Sequence, residues 1–274
     1  MKPSVKMVML VGALFFVGVT TGCSLLPRKP ALTWHLLLQI DAPITERQSL
    51  VNKALVVIQS RLDAVGVQNF EVKAQGSPED GRLLVRLPTM PNPDRLKELI
   101  TAAGKLELVH IISLPSPNPL QSYKTQEEAI ASITTKGVIP RQFRVLPFND
   151  PADTTAESTQ KWLVVGATPI VTGADLRNAS SFRGASADRY EIMFSLNKAG
   201  AEKFGTWTAS NINEYLGVVL NDEVKSAAFI KSQISDSGQI TGHFTREMAE
   251  DLALVLKSGA LPAHLTIVED QIEK

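Results

Sequence analysis

The sequence predicts an α+β fold in which helices cover one face of an antiparallel sheet. Three observations predict it. Between residues 32 and 112 apolar residues recur at strand spacing, then helical spacing, then strand spacing twice, then helical and strand spacing once more. Gly66, the run from Ser77 to Gly81, Pro91 to Pro93 and Gly104 punctuate those segments. The composition, 274 residues with 44% hydrophobic side chains and 28 basic against 28 acidic ones, is that of a globular chain long enough for about one or two domains.

The elements follow in order. Leu32 to Ile40, with Trp34, Leu36, Leu37, Leu38 and Ile40, is short enough for a buried strand. Thr45 and Gln48 have capping-box spacing, and Val51, Ala54, Leu55, Ile58, Leu62 and Val65 form an apolar helix face that ends at Gly66. Phe70, Val72 and Ala74, then Leu83, Val85 and Leu87, alternate on either side of the Ser77 to Gly81 turn and predict a hairpin. Pro91, Asn92 and Pro93 open a second helix with Leu96, Leu99, Ile100 and Ala103 inward, and Lys105 to Ile112 is a strand. Strand, helix, strand, strand, helix, strand is the split βαβ order of ferredoxin-like folds, so these six elements are expected to form one such sheet.

Ser113 to Pro119 holds three prolines in seven residues and marks a boundary. Beyond it, Thr125 and Glu128 predict a capped short helix, Asp150 to Gln160 a polar loop, and Lys161 to Gly166 a strand. Thr172 is expected to cap a turn reaching Leu176, and Tyr190 to Leu196 to be a strand. Asn197 then caps a helix with Ala201, Phe204, Trp207 and Ile212. Tyr215 to Leu220 and Val224 to Ile230 read as a hairpin around a three-residue loop. Ile240 lies in a short strand, Thr245 caps a helix with Met248, Leu252, Val255 and Leu256 inward, and Leu265 to Val268 is a final strand.

The amino end reads as a targeting segment. Lys2 and Lys6 precede a 13-residue apolar run from Met7 to Val19, shorter than the roughly 20 residues of a bilayer-spanning helix. The string VTTGC, with small residues immediately before Cys23, resembles the lipobox of bacterial lipoproteins, in which the cysteine is acylated and becomes the mature first residue. A signal peptide cut elsewhere, or an uncleaved anchor, is the plainer alternative. Acylation at Cys23 implies a lipid bilayer as partner, and a tether to Ala31 that carries Pro27 and Pro30 and spans at most about 30 Å. Loss of residues 1–22 leaves 26 basic and 28 acidic side chains, a formal charge of −2.

No cofactor, metal or catalytic constellation is expected. A single cysteine excludes a disulfide framework and a multi-cysteine metal site, and balanced charge argues against nucleic acid as a partner. Phosphate-loop, dinucleotide, nucleophile-elbow and zinc-helix motifs are missing. His35 and His110 fall on strands expected to share a sheet, but two histidines make a weak metal case; His243 and His264 lie far off in sequence. Trp34, Trp162 and Trp207 are read as core rather than as a ligand groove, and Glu127 with Glu128, and Glu269 with Asp270, as solvated faces.

The stretch EDLALVLKSGALPAHLTIVED, Glu250 to Asp270, resembles the end of the first periplasmic domain of SecD, the membrane subunit that assists the bacterial Sec export channel. YLGVVLNDEVKSAAFIKSQISDSGQITGHFT (Tyr215 to Thr245), VTGADLRNA (Val171 to Ala179) and YEIMFSLNKAGAEKFGTWTASNI (Tyr190 to Ile212) are similar to the segments before it. VIQSRLDAVGV, LLVRLPTMPNPDRLKELI and AGKLELVHI, between Val57 and Ile111, match the first half in the same order. The D-L-[RK]-G-G-like string that precedes the family's first strand is missing from ALTWHLLLQID. SecD continues into membrane helices thought to harness proton flow, whereas this chain stops at Lys274.

The resemblance implies a ferredoxin-like base carrying an inserted α+β head, detached from the motor and re-anchored by a lipid. The implied division is a signal peptide at 1–22, a lipidated tether at 23–31, base at 32–112, head at 113–234 and the rest of the base at 235–274. It also implies a non-enzymatic accessory to Sec-dependent export, facing the periplasm and binding translocating or unfolded polypeptide, with Sec translocon subunits or secreted preproteins as partners. The alternative is an envelope adaptor that keeps the fold without a role in secretion. Ser24 lacks the aspartate that often retains lipoproteins at the inner membrane, which allows the outer membrane, whereas a Sec partner requires the inner one.

Overall fold

A computed structural model describes residues 30–113, 119–134, 138, 140–149, 160–184 and 189–273. The expected signal peptide, Cys23 and nearly all of the tether lie outside the described residues, as does the polar loop over 150–159.

The first part of the chain forms β1 (Trp34–Ile40), α1 (Ile44–Val65), β2 (Glu71–Gln75), β3 (Arg82–Leu87) and α2 (Pro93–Thr101). Gly66 ends α1 in the left-handed conformation, its N–H returning to the last turn. The Asn92 side chain accepts from the Arg95 N–H to start α2. The expected box at Thr45 does not form, because α1 already begins at Ile44 and has no side-chain cap.

The chain continues through β4 (Leu106–Ile111), α3 (Gln126–Ile133), β5 (Phe143–Phe148), β6 (Lys161–Gly166), β7 (Val171–Thr172) and β8 (Leu176–Arg183). It then forms β9 (Tyr190–Leu196), α4 (Lys198–Ser210), β10 (Tyr215–Leu220), β11 (Glu223–Phe229), β12 (Ser237–Phe244), α5 (Arg246–Ser258) and β13 (Leu265–Ile272). Thr125, Asn197 and Thr245 cap α3, α4 and α5 as their spacing predicts. Gly200 is required in the first turn of α4: a Cβ there would stand 2.7 Å from the Asp175 Cβ and 3.0 Å from its carbonyl oxygen.

The base is an antiparallel sheet in the order β13-β1-β3-β2, covered on one face by α1 and α2. Trp34, Leu36, Leu38 and Ile40 alternate into its core with Leu83, Val85 and Leu87, against Val51, Ala54, Ile58 and Leu62 of α1. Each such aliphatic side chain contributes about 1.5–3 kcal/mol by leaving water. The ferredoxin-like order is present, with one correction. The fourth strand is β13 rather than the segment at Lys105 to Ile112. β4 is buried on both faces, which a sheet covered on only one face cannot satisfy, whereas β13 is mostly exposed beyond Leu265.

β4 belongs to the head. There β4, β10, β11, β5 and β6 pair in succession and close into a ring, with β7 attached to β4. The closing contact is Ile111 opposite Val165, with the Ile112 N–H donating to the Val164 carbonyl at 2.9 Å. Val109, Ile111, Leu146, Phe148, Leu163, Val165, Val219 and Val224 fill the ring. The outer faces of β4 and β10 present Leu106, Leu108, Leu216, Val218 and Leu220 to a second core, shared with sheet β12-β9-β8, α4 and α5. By sheet and core membership, residues 106–111 and 237–258 thus go with the head.

Smaller expectations are also corrected. The β10–β11 hairpin turns on two residues, Asn221 and Asp222, both at positive φ (50° and 61°) as its handedness demands. Met248 points outward and is half exposed; Ala249 and Ala253 take the inward places beside Val255 and Leu256. Ile212 lies beyond α4 and is exposed. β5 and β8 had no counterpart among the expected elements.

Candidate functional site at the joint of base and head

Two chain crossings join the halves, residues 102–105 and 259–264, and they run side by side, with the Leu261 N–H donating to the Ala103 carbonyl at 2.9 Å. Arg61 of α1 sits beneath them, fully buried. One guanidinium nitrogen donates to the carbonyls of Leu99 (2.9 Å), Ile100 (3.3 Å) and Ala102 (2.6 Å), and the other to Gly259 (3.0 Å). These carbonyls belong to the ends of α2 and α5, where helices expose unpaired acceptors and partial negative charge. Burial pushes Arg61 down to about 10, so it stays charged at neutral pH. Gly104 adjoins it at φ +67°, where a Cβ would stand 2.6 Å from Val255.

Above this joint a cleft of about 360 Å³ opens between the end of α2, the β10–β11 turn and the start of α5. Leu99, Leu220, Phe244, Met248, Leu252 and Val255 line its apolar part; Glu98, Glu223, Lys225 and Asp251 stand around it. Arg95 of α2 fixes one wall by a bidentate pair with Asp251 of α5 (2.7–3.2 Å) and a contact with Glu247 at 3.1 Å. The bond to Asp251 raises the Arg95 pKa further above its ordinary value. The hairpin turn is tied down by the Asn221 side chain, which accepts from the Lys105 N–H at 3.0 Å, and by Lys105 on Asp222 at 3.0 Å. Arg144 holds the nearly buried Glu107 at 2.8 Å behind it. An apolar floor with a methionine in a partly open cleft suits side chains of varied shape.

The residues singled out from sequence do not converge. His35 and His110 lie in different sheets. His35 accepts from Arg86 Nε at 3.2 Å and approaches Glu273, while His110 contacts the Glu214 carboxylate and packs in a T-shaped arrangement with Trp207. Among the described residues no three histidine, cysteine or acidic side chains cluster as a metal-ligand set. Trp34 is core, with Nε1 donating to Asp270 at 2.7 Å; Trp162 and Trp207 are half-buried. Asp270 is not merely solvated: the Trp34 bond, with Lys97 at 3.0 Å, holds its carboxyl below the usual range. Glu128 serves α3, accepting from the Lys124 N–H at 3.1 Å, and Glu127 and Glu269 are exposed. Sequence reasoning missed Arg61 and the cleft. The visible signals were an arginine on an otherwise apolar helix face and a methionine at the open edge of another.

A ferredoxin-like base with a head inserted before its last strand defines the class of fold. Known proteins place the chain within that class. Residues 51–112 match the family model for the N-terminal part of the P1 domain of protein translocase subunit SecDF, and residues 147–263 match the model for the SecDF P1 head subdomain. The SecD subunit of Koribacter versatilis is 32% identical over 81% of this chain, and that of Aquifex aeolicus 32% over 82%. The chain spans 38% and 40% of the length of those two relatives. A solved structure described as a membrane component SecDF that enhances protein export superimposes over 86% of the chain and 98% of its own, with a TM-score of 0.62 at 24% identity. SecDF in a super-membrane-facing form aligns over 87% of the chain and 30% of its own, with a TM-score of 0.63. The chain belongs to the SecD family and carries its first periplasmic domain. Among the described residues no helix is long and apolar enough to cross a membrane.

Proposed function

We propose that the protein is a lipid-anchored, non-enzymatic accessory to Sec-dependent export that holds translocating or unfolded polypeptide at the joint of base and head. The observation that carries this reading is the cleft, with the half-exposed Met248 beside Phe244 and Leu252 on its floor and one wall pinned by Arg95 and Asp251. Apolar side chains of an extended client fit such a surface weakly and without strict sequence demands. The association of its relatives with protein translocation supports the same direction.

In this reading residues 1–22 are a signal peptide and Cys23 is acylated at the periplasmic face of a membrane. The Pro30 carbonyl accepts from the Asn69 side chain at 2.6 Å, so the chain meets the base at the end of the sheet where β1 begins. The start of β1 then lies within about 30 Å of the bilayer.

Photo-crosslinkers at Phe244, Met248 and Leu252 in growing cells are expected to capture secreted preproteins or Sec subunits. Capture of one folded envelope protein alone would favour an adaptor, and capture of neither overturns the reading. Cys23→Ser is expected to abolish acyl labelling and release the protein from membranes; unchanged retention overturns the lipid anchor. Recovery of the wild type wholly in the outer-membrane fraction would rule out direct contact with an inner-membrane channel.

A further inference from the structure

The cleft above the joint carries its charges unevenly. Of the carboxylates around it, Asp251 and Glu247 are held by Arg95 at 2.7 Å and 3.1 Å, and Glu223 by Lys225 at 2.6 Å. Glu250, on the same helix as Asp251, has Arg246 at 2.7 Å. Glu98 is different. It is exposed and lines the cleft beside Leu99, and among the described residues no cation or hydrogen-bond donor reaches its side chain. Glu98, Glu223, Glu247 and Asp251 against Arg95 and Lys225 leave the cleft with a formal charge of −2.

Glu98 stands in the last turn of α2, where the main chain contributes partial negative charge and a basic side chain is the favourable choice. That turn has no basic residue. Arg61 beneath it spends its donors on the carbonyls of Leu99, Ile100, Ala102 and Gly259. Solubility alone would be served as well by a lysine at this position, with no electrostatic cost to the helix. An unpaired carboxylate beside an apolar floor is a charge that a bound cation would relieve.

The same charge narrows the choice of occupant. It repels anionic head groups and phosphate backbones, and a purely apolar segment gives Glu98 no partner. Leu220, Phe244, Met248 and Leu252 in turn need more than a bare cation to cover them. An apolar side chain with a lysine or arginine close by on the same chain meets both demands, because the long basic stem lies on apolar surface while its head reaches the carboxylate.

We propose that the cleft selects client segments in which a large apolar side chain is flanked by lysine or arginine, and that Glu98 sets this preference. The inference rests on the client-binding reading and adds selection to it. Because the pair forms at an open rim, the preference is about three- to fivefold and fades as salt screens it.

The test uses the full-length chain, a permanently unfolded protein and four fluorescent ten-residue peptides. Three have two central leucines flanked by lysine, serine or glutamate; the fourth keeps the lysines and replaces the leucines by serine. At low salt Kd is expected to rise about fivefold from lysine to glutamate flanks, and near 1 M salt the difference is expected to vanish. Glu98→Gln is expected to bring the lysine- and serine-flanked peptides to about the same Kd, and Glu98→Lys to reverse the order, with unchanged circular dichroism because the side chain is exposed. Glu127→Gln on α3 is expected to leave the order intact. A lysine preference that survives Glu98→Lys overturns the inference, as does equal binding of the three leucine peptides or binding of the unfolded protein alone. Binding of the leucine-free peptide as tightly as its parent overturns it in favour of a bare cation site. Dimers that dissociate on Glu98→Lys overturn it in favour of a second copy of the chain. In each of these cases capture of the unfolded protein keeps the client-binding reading; failure of the peptides and the unfolded protein alike to bind overturns that reading as well.

Discussion

The base keeps one sheet face under α1 and α2 and leaves charged strands at both edges, whereas the ring in the head closes on itself and buries β4 and β10 from both sides. One strand of the base sheet serves one core; β4 and β10 in the head each serve two. The difference teaches where cooperativity should lie. A lost side chain in the second core should loosen the ring and the β12-β9-β8 sheet together, while the base, which meets the head mainly through α1, α5 and the paired crossings, is buffered from it.

Phe194→Ala probes that asymmetry most strongly. The ring of Phe194 is buried in the second core and packs over Gly238, and its removal is expected to cost about 4 kcal/mol. Variants that keep a single tryptophan report each half, Trp34 for the base and Trp207 for the head. In urea the Trp207 transition should move far more than that of Trp34; equal movement of both would show that the halves unfold as one unit. Arg61→Ala is the converse experiment. It strands four carbonyls at the ends of α2 and α5, and should destabilise both reporters by about 3 kcal/mol. A shift confined to Trp34 would mean that Arg61 serves the base alone.

Much of the base was legible because its information is local. Each helix has an apolar face, and Gly66, Asn92 and the Ser77 to Gly81 turn mark boundaries within a few residues of the segments they end. The partner of β1 was not legible. β4 and β13 are both plausible strands, and only the two-sided burial of Leu106, Leu108, Val109 and Ile111, a property of folded neighbours, sends one to each sheet. β5 carries Pro147, a breaker in sequence terms, and β8 is mostly polar, so neither shows strong alternation. The cleft and the Arg61 pin escaped for a related reason, since each is assembled from elements more than 100 residues apart.

Acid sharpens the comparison at smaller amplitude. Asp270 in the base and Asp175 in the head both have carboxyls held below their ordinary 3.8, Asp270 first by the Trp34 bond. For Asp175 burial works in the opposite direction and is outweighed by the Thr172 N–H and Lys203. A depressed carboxyl contributes stability that is complete above its unfolded value and lost as pH falls through the folded one. Both halves should therefore weaken below about pH 4. Asp270→Asn should cost the base about 1 kcal/mol at pH 7 and flatten the acid response of Trp34 while leaving that of Trp207. An unchanged Trp34 slope would place the acid sensitivity elsewhere.

The smallest expected effect is a gain. Asp222→Gly relieves a left-handed residue in the two-residue turn at the expense of exposed contacts with Lys105 and, at 3.6 Å, Arg144, and should stabilise the head by about 0.5 kcal/mol with no change in the base. A loss would show that these ionic contacts outweigh the backbone.

The placement of β13 beside β1 has a consequence for biogenesis. Trp34 and its partner Asp270 are 236 residues apart, and every residue of the head is synthesised between them. Strand β1, α1 and the β2–β3 hairpin emerge early but form a three-stranded sheet with one flank bare until β13 arrives. The head, whose pairings all lie between residues 105 and 258, can mature first as a self-contained loop. The nascent base therefore carries an exposed flank of β1 for as long as the head is being made, a period in which a chaperone, or a stray strand, has the best access to it.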